Sequence, residues 1–122
     1  MNLTEVKRRI DKRNDDQLSK LENQRVALFE KLRDHLPEFL EKFPAVTKVI
    51  IIGSLTRPGY FTQLSDVDIV LQDLPNSKYS EAFGWFENCL KFENIDLIRI
   101  EDAIPNIMKW IEKGAVLYEK KN

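Results

Sequence analysis

Asp66, Asp68 and Asp96, with the pair Gly53 and Ser54, are the residues of this chain whose types and spacing can do chemistry. Residues 50–71 read IIIGSLTRPGYFTQLSDVDIVL: one β-branched run ends at Gly53-Ser54, and the next opens as Asp66-Val67-Asp68. Alternate residues of a strand share a face, so Asp66 and Asp68 are expected to point the same way, about 6 to 7 Å apart, with Val67 on the opposite side. Two carboxylates so placed repel each other and resist burial unless a cation or hydrogen-bond donors neutralise them. A hard divalent cation meets that need, because Mg2+ takes one or two carboxylates and completes its octahedron with water and substrate phosphates. Asp96, in the later run NIDLI, is the candidate third acid, sharing a metal or accepting the proton of an attacking hydroxyl as in two-metal phosphoryl transfer. Gly53 lets the backbone approach a ligand closely, and Ser54, if it caps a short helix, offers a hydroxyl and free N–H groups to a phosphate.

Elements of two periods must position these residues. Residues 1–43 carry Leu3, Val6, Ile10, Leu18, Leu21, Leu28, Leu32 and Leu36 mostly at helical steps. The polar patch DKRNDDQ at 11–17 interrupts the stripe, so one long helix or two are both open. Pro37 suits the first position of a short helix PEFLEKF that Pro44 would end. TKVIIIGS from Thr47 and DVDIVLQDL from Asp66 read as strands, the first covered on both faces. SKYSEAFGWFENCLK at 77–91 reads as a helix with Ser77 as a candidate N-cap, and NIDLIRI at 94–100 as a strand. DAIPNIMKWIEKG then reads as a helix with Gly114 past its end, and AVLYEK as a final strand. The order is that of one α/β or α+β domain on a small sheet, 1–122, with a helical region 1–43 and a core 47–118.

Composition narrows the classes. The chain has 122 residues, 43% hydrophobic and 32% charged, suited to one folded core. Nineteen basic and twenty acidic side chains leave a formal charge of -1, which does not provide the positive field that drives strong nucleic-acid binding. No apolar run approaches the ~20 residues of a membrane span. The single Cys89 cannot form an internal disulfide, and the expected compartment is a reducing cytoplasm.

The remaining chemistry-bearing side chains read as structural. His35 is the only histidine and lies in a charged helical segment, so it is expected at the surface. Cys89 among Phe86, Leu90 and Phe92 reads as a packed thiol. Tyr79, Phe83, Trp85 and Phe86 have the chemistry to stack a base, but at helical spacing they read as core, and Trp110 reads the same way on the helix that leads to Gly114. Tyr60 and Phe61 differ, because they lie in the loop over the phosphate end, where they are expected to lid a nucleotide or meet a partner. The basic clusters KRR at 7–9 and DKR at 11–13 read as a solvated helix face.

GSLTRPGYFTQLSDVDIVL resembles the nucleotidyltransferase signature: Gly-Ser, then Arg and Gly, then Ser-Asp-x-Asp with apolar residues after it. From Thr47 to Tyr118 the chain is similar to the minimal nucleotidyltransferases of the polymerase-beta-like superfamily, the antitoxin partners of HEPN-domain toxins. The resemblance implies that fold, with a mixed sheet of about four to five strands behind an N-terminal helical extension. It implies Asp66, Asp68 and Asp96 at one or two Mg2+ ions, and Gly53, Ser54, Arg57 and Ser65 at the phosphates of ATP. It also implies transfer of AMP to a tyrosine of a HEPN ribonuclease toxin, within a hetero-oligomer, or a homodimer when alone. The loop departs from the pattern, reading Arg57-Pro58-Gly59 where Arg-Gly is usual. Two rival readings stand beside it: a non-catalytic antitoxin acting by occlusion, and nucleotide transfer to a small molecule such as an aminoglycoside.

Overall fold

The computed structural model describes residues 2–121, with the side chains of 10–14 outside the description, Ile10 of the expected stripe and the 11–13 cluster among them. One helix, α1 (Leu3–Lys42), runs through the polar patch and through Pro37. Its start is capped by Asn2, whose side chain accepts the N–H of Glu5 at 2.9 Å. The separate helix expected at Pro37 does not form. Leu28, Leu32, Leu36, Phe39 and Phe43 make one continuous buried stripe across that point, and this burial outweighs the single backbone hydrogen bond that proline removes.

A four-stranded sheet of order β3-β2-β1-β4 follows, formed by β1 (Lys48–Ile52), β2 (Val67–Gln72), β3 (Ile95–Arg99) and β4 (Ala115–Glu119). β1 pairs antiparallel with β2 and β4, and β2 pairs parallel with β3. The parallel pair requires a crossover, which α2 (Tyr79–Leu90) supplies. Ser77 does not cap that helix; it lies in a 3-10 turn, Asn76–Lys78, that leads into it. The last helix, α3 (Pro105–Glu112), leads through Gly114 to β4. A Cβ on Gly114 would stand 2.6 Å from Ile50 Cγ2, so this crossing over β1 needs glycine.

Period-two alternation divides the sheet between two cores. Val49, Ile51, Val67, Ile69, Leu71, Ile95 and Leu97 face α1 and α2 in the main core. Ile50, Ile52 and Val70 face the other way, onto Ile107 and Ile111 of α3. Asp68 and Asp96 are in phase with Val70 and Ile98, which puts both on the α3 face. That helix has only eight residues, so it covers this face in part and leaves one end open.

Phe39 is the centre of the main core. It is fully buried, with ring centroids 4.7 Å from Phe86, 4.8 Å from Phe43 and 5.1 Å from Trp85. Phe39→Ala is expected to cost about 3 to 5 kcal/mol of stability, measured by urea unfolding, because helix and sheet close incompletely over the void.

Candidate active site

The site forms where a row of residues crosses the end of the sheet. Asp96 on β3 is in register with Asp68 on β2, and Asp68 with Ile52 on β1. Neighbouring strands lie about 4.8 Å apart, so the two carboxylates are side by side. Gly53 ends the row at φ +78°, with Asp68 Oδ2 only 2.6 Å from where a Cβ would stand. The backbone then tightens into a 3-10 turn, Gly53–Thr56, closed by Thr56 Oγ1 donating to the Gly53 carbonyl at 2.8 Å. Among the described residues, no side chain caps the start of this turn.

A cavity of about 420 Å3 opens over the row, lined by Gly53, Ser54, Arg57, Asp68 and Asp96 on its polar side. Ile52, Ile98, Ile107, Tyr60 and Trp110 form the rest of its wall. A second cavity of about 500 Å3 adjoins it, sharing Gly53, Arg57 and Trp110 and adding Thr56 and Lys113. Together they form one cleft with acids at one end, cations at the other and an apolar wall between. That division suits a ligand with a metal-bound phosphate chain and an aromatic group.

Asp68 is electrostatically disfavoured as an anion. Burial first, then the charges of Asp96 and Asp66, push its carboxyl from 3.8 up to about 6. A cation in the cleft would offset all three. Among the described residues, no three histidine, cysteine or acidic side chains come together as a metal-holding group. The donor set still fits Mg2+, which needs only one or two carboxylates when phosphates and water supply the other oxygens. Asp68 and Asp96, the two acids that line the cavity, would hold it.

The other expected site residues fall in different places. Asp66 precedes β2 by one residue, is exposed and does not line the cleft. Ser65 closes a turn, its hydroxyl accepting the Thr62 N–H at 2.8 Å, and it too stands off the cleft. Phe61 is not a lid: it is 4% exposed in the main core, 6.1 Å from the Phe92 ring. The loop needs one apolar anchor, and consecutive residues of an extended segment point opposite ways, so Tyr60 is left outside. The Tyr60 ring lies 4.4 Å beneath the Arg57 guanidinium.

Trp110 reverses its expectation. It is 53% exposed and lines both cavities. Ile107 and Ile111 occupy the buried face of α3, and Trp110 is turned about 100° from Ile111. Lys113 was not singled out in the sequence at all, since a lone lysine after a helix carries no motif. His35 is exposed, 3.5 Å from Glu38. Cys89 is partly buried, and its thiol is pushed up chiefly by burial. Tyr79 packs at the edge of the core with its hydroxyl donating to the Leu97 carbonyl at 2.6 Å.

No family model matches the chain, and no curated protein matches it in sequence. Solved structures do. A chain of a toxin–antitoxin complex with AMP-PNP superposes with a TM-score of 0.60 at 19% identity, covering 73% of this chain and 74% of that one. A chain from the structure of tri-AMPylated Shewanella oneidensis HEPN toxin in complex with MNT antitoxin gives 0.54 at 18%, over 72% and 70%. The toxin–antitoxin MntA-HepT gives 0.53 at 17%, over 72% and 70%. The chain has the nucleotidyltransferase fold. At these identities the likeness carries the nucleotidyltransferase fold and its α+β sheet, not the activity. Among the described residues, no helix of this fold is long and apolar enough to cross a membrane.

Proposed function

We propose that this chain is a Mg2+-dependent nucleotidyltransferase that moves AMP from ATP to a hydroxyl, the acceptor being a tyrosine of a cognate HEPN ribonuclease toxin, and that it thereby acts as an antitoxin. The observation that carries the reading is the pairing of Asp68 with Asp96 beside Gly53, in a cleft whose other end holds Arg57 and Lys113. Structural likeness to a complex holding AMP-PNP and to one holding an AMPylated toxin supports it.

The chain's own residues divide the work by position. Gly53 and Ser54 accept the phosphate chain at close approach, and Arg57 and Lys113 balance its charge. Bound Mg2+ would stabilise charge on the attacking and leaving oxygens. Asp96, exposed in the cleft, accepts the proton of the acceptor hydroxyl as its oxygen bonds to the α-phosphorus and pyrophosphate leaves. No covalent enzyme intermediate is needed. Apart from Tyr60 and Trp110, little in the cleft could enclose a second substrate, which favours a macromolecular acceptor.

Incubation with labelled ATP, Mg2+ and the product of the neighbouring gene tests the reading: label on that protein supports it. One observation favours the rival antitoxin acting by occlusion, namely the exposed position of Asp66 away from the cleft. Association without label, unchanged when Asp66→Ala and Asp68→Ala are combined, would establish that rival instead.

The apolar wall is the expected seat of the base. Stacking on an exposed aromatic contributes about 1 to 3 kcal/mol per base, so Trp110→Ala is expected to raise KM for ATP by roughly tenfold or more with kcat little changed. ATP should quench Trp110 fluorescence while inorganic tripolyphosphate should not. Equal quenching by both would place the base elsewhere.

A further inference from the structure

Arg57 lines both cavities yet sits on an exposed loop, where the Arg57 N–H donates to the Ser54 carbonyl and the Tyr60 N–H to the Arg57 carbonyl, each at 3.1 Å. Two side chains of α1 grip that loop on either side of it. Arg25 Nη1 donates to the Leu55 carbonyl at 2.9 Å, two residues before Arg57. Glu22 Oε2 accepts the Gly59 N–H at 3.1 Å, two residues after it.

The two gripping residues are joined to each other. Arg25 Nε donates to the two Glu22 oxygens at 3.1 and 3.0 Å, and Nη2 donates to Oε1 at 2.6 Å. The Arg25 side chain is only 12% exposed, so its planar fork is committed to Glu22 and Leu55. The Arg25 hydrogen bond first, then the Gly59 N–H, lower the Glu22 carboxyl below its ordinary value, which keeps the pair charged through neutral pH. One and two turns further along α1, Leu28 and Leu32 are buried in the main core. The helix is thus fixed to the sheet, and the pair transmits that fixity to both ends of the segment 55–59. A partly exposed ion pair contributes little to stability by itself. Bracketing a cleft arginine symmetrically is something that stability does not require.

We propose that Glu22 and Arg25 are positioning residues that hold Arg57 toward the phosphate chain of the bound nucleotide. This gives the part of α1 that precedes the core a role in the site, and it rests on the nucleotidyltransferase reading. A loop displaced by about 1 Å costs affinity and rate without any loss of contacts at the acids.

The test is a double-mutant cycle on the full chain, with binding of Mg2+-ATP and of inorganic tripolyphosphate measured by calorimetry beside the melting temperature. Arg25→Met keeps the side-chain stem, and Glu22→Gln keeps the shape, so either can carry the cycle if the other fails to fold. Each is expected to weaken tripolyphosphate binding about tenfold, and by less than about twofold when Arg57→Ala is already present. Unchanged affinity in the single variants would overturn the proposal, as would equal losses with and without Arg57. If the wild-type chain binds neither ligand, the nucleotidyltransferase reading falls and the proposal with it. If the wild type binds and the variants bind equally well, only the proposal falls.

Discussion

Asp68→Asn is expected to reduce nucleotide transfer by roughly 10^2- to 10^3-fold or more, the scale of losing one preorganised charge-stabilising group, and to make the metal-free protein more stable at neutral pH. The two effects have one cause. Asp68 is held beside Asp96 and partly out of water, which raises its carboxyl to about 6. An acid whose folded value lies above its unfolded one binds more protons in the native state between the two. Stability therefore falls as pH rises from about 4 to about 6, and the cost stays constant above that. Asparagine removes that slope. The gain at pH 7 is on the order of 1 to 2 kcal/mol once solvent screening is allowed for. Thermal melts of wild type and variant from pH 4 to pH 7 in a chelator measure it. A difference in melting temperature that does not grow across this range would contradict the electrostatic account, and full activity in the variant would contradict the chemical one.

Gly53→Ala should also reduce transfer sharply, with the opposite effect on stability. The backbone at Gly53 has φ +78°, a conformation costing an L side chain roughly 1 to 2 kcal/mol. The new methyl would also stand 2.6 Å from Asp68 Oδ2, so the carboxylate must swing away from the row it shares with Asp96. Denaturant unfolding should show a loss of about 1 to 3 kcal/mol. Combining it with Asp68→Ala removes the steric part and leaves the backbone part, so the two changes should be non-additive. Strict additivity would show that the close approach is not what requires glycine here.

Much of the architecture was legible because its signals are local. The β-branched run at 48–52, the alternation at 95–99 and the Pro and Gly at the two ends of α3 each depend on neighbours within one turn or one strand. Pro37 misled because its local preference was set against long-range burial of Phe39 and Phe43, which dominates. Phe61 and Trp110 exchanged their expected roles for the same reason. Whether an aromatic is anchor or lining depends on which residue beside it reaches the core first, Phe61 before Tyr60 and Ile111 before Trp110.

The sequence by itself determined which groups this protein has for chemistry. A Gly-Ser turn after one strand and acids at the start of another place a close backbone approach and carboxylates near one sheet end, because strand periodicity admits few alternatives. Only the tertiary structure decided which of them meet. The parallel register of β2 with β3 brings Asp96 to Asp68, while the late start of β2 leaves Asp66 and Ser65 outside the cleft. It also brought in residues that no motif marked: Trp110 from α3 and Lys113 just past its end, and Glu22 and Arg25 from a helix 30 to 37 residues away in the chain from the loop they hold. Strand pairing and helix docking join positions distant in the chain, and those joins depend on how whole surfaces bury rather than on any short run of residues.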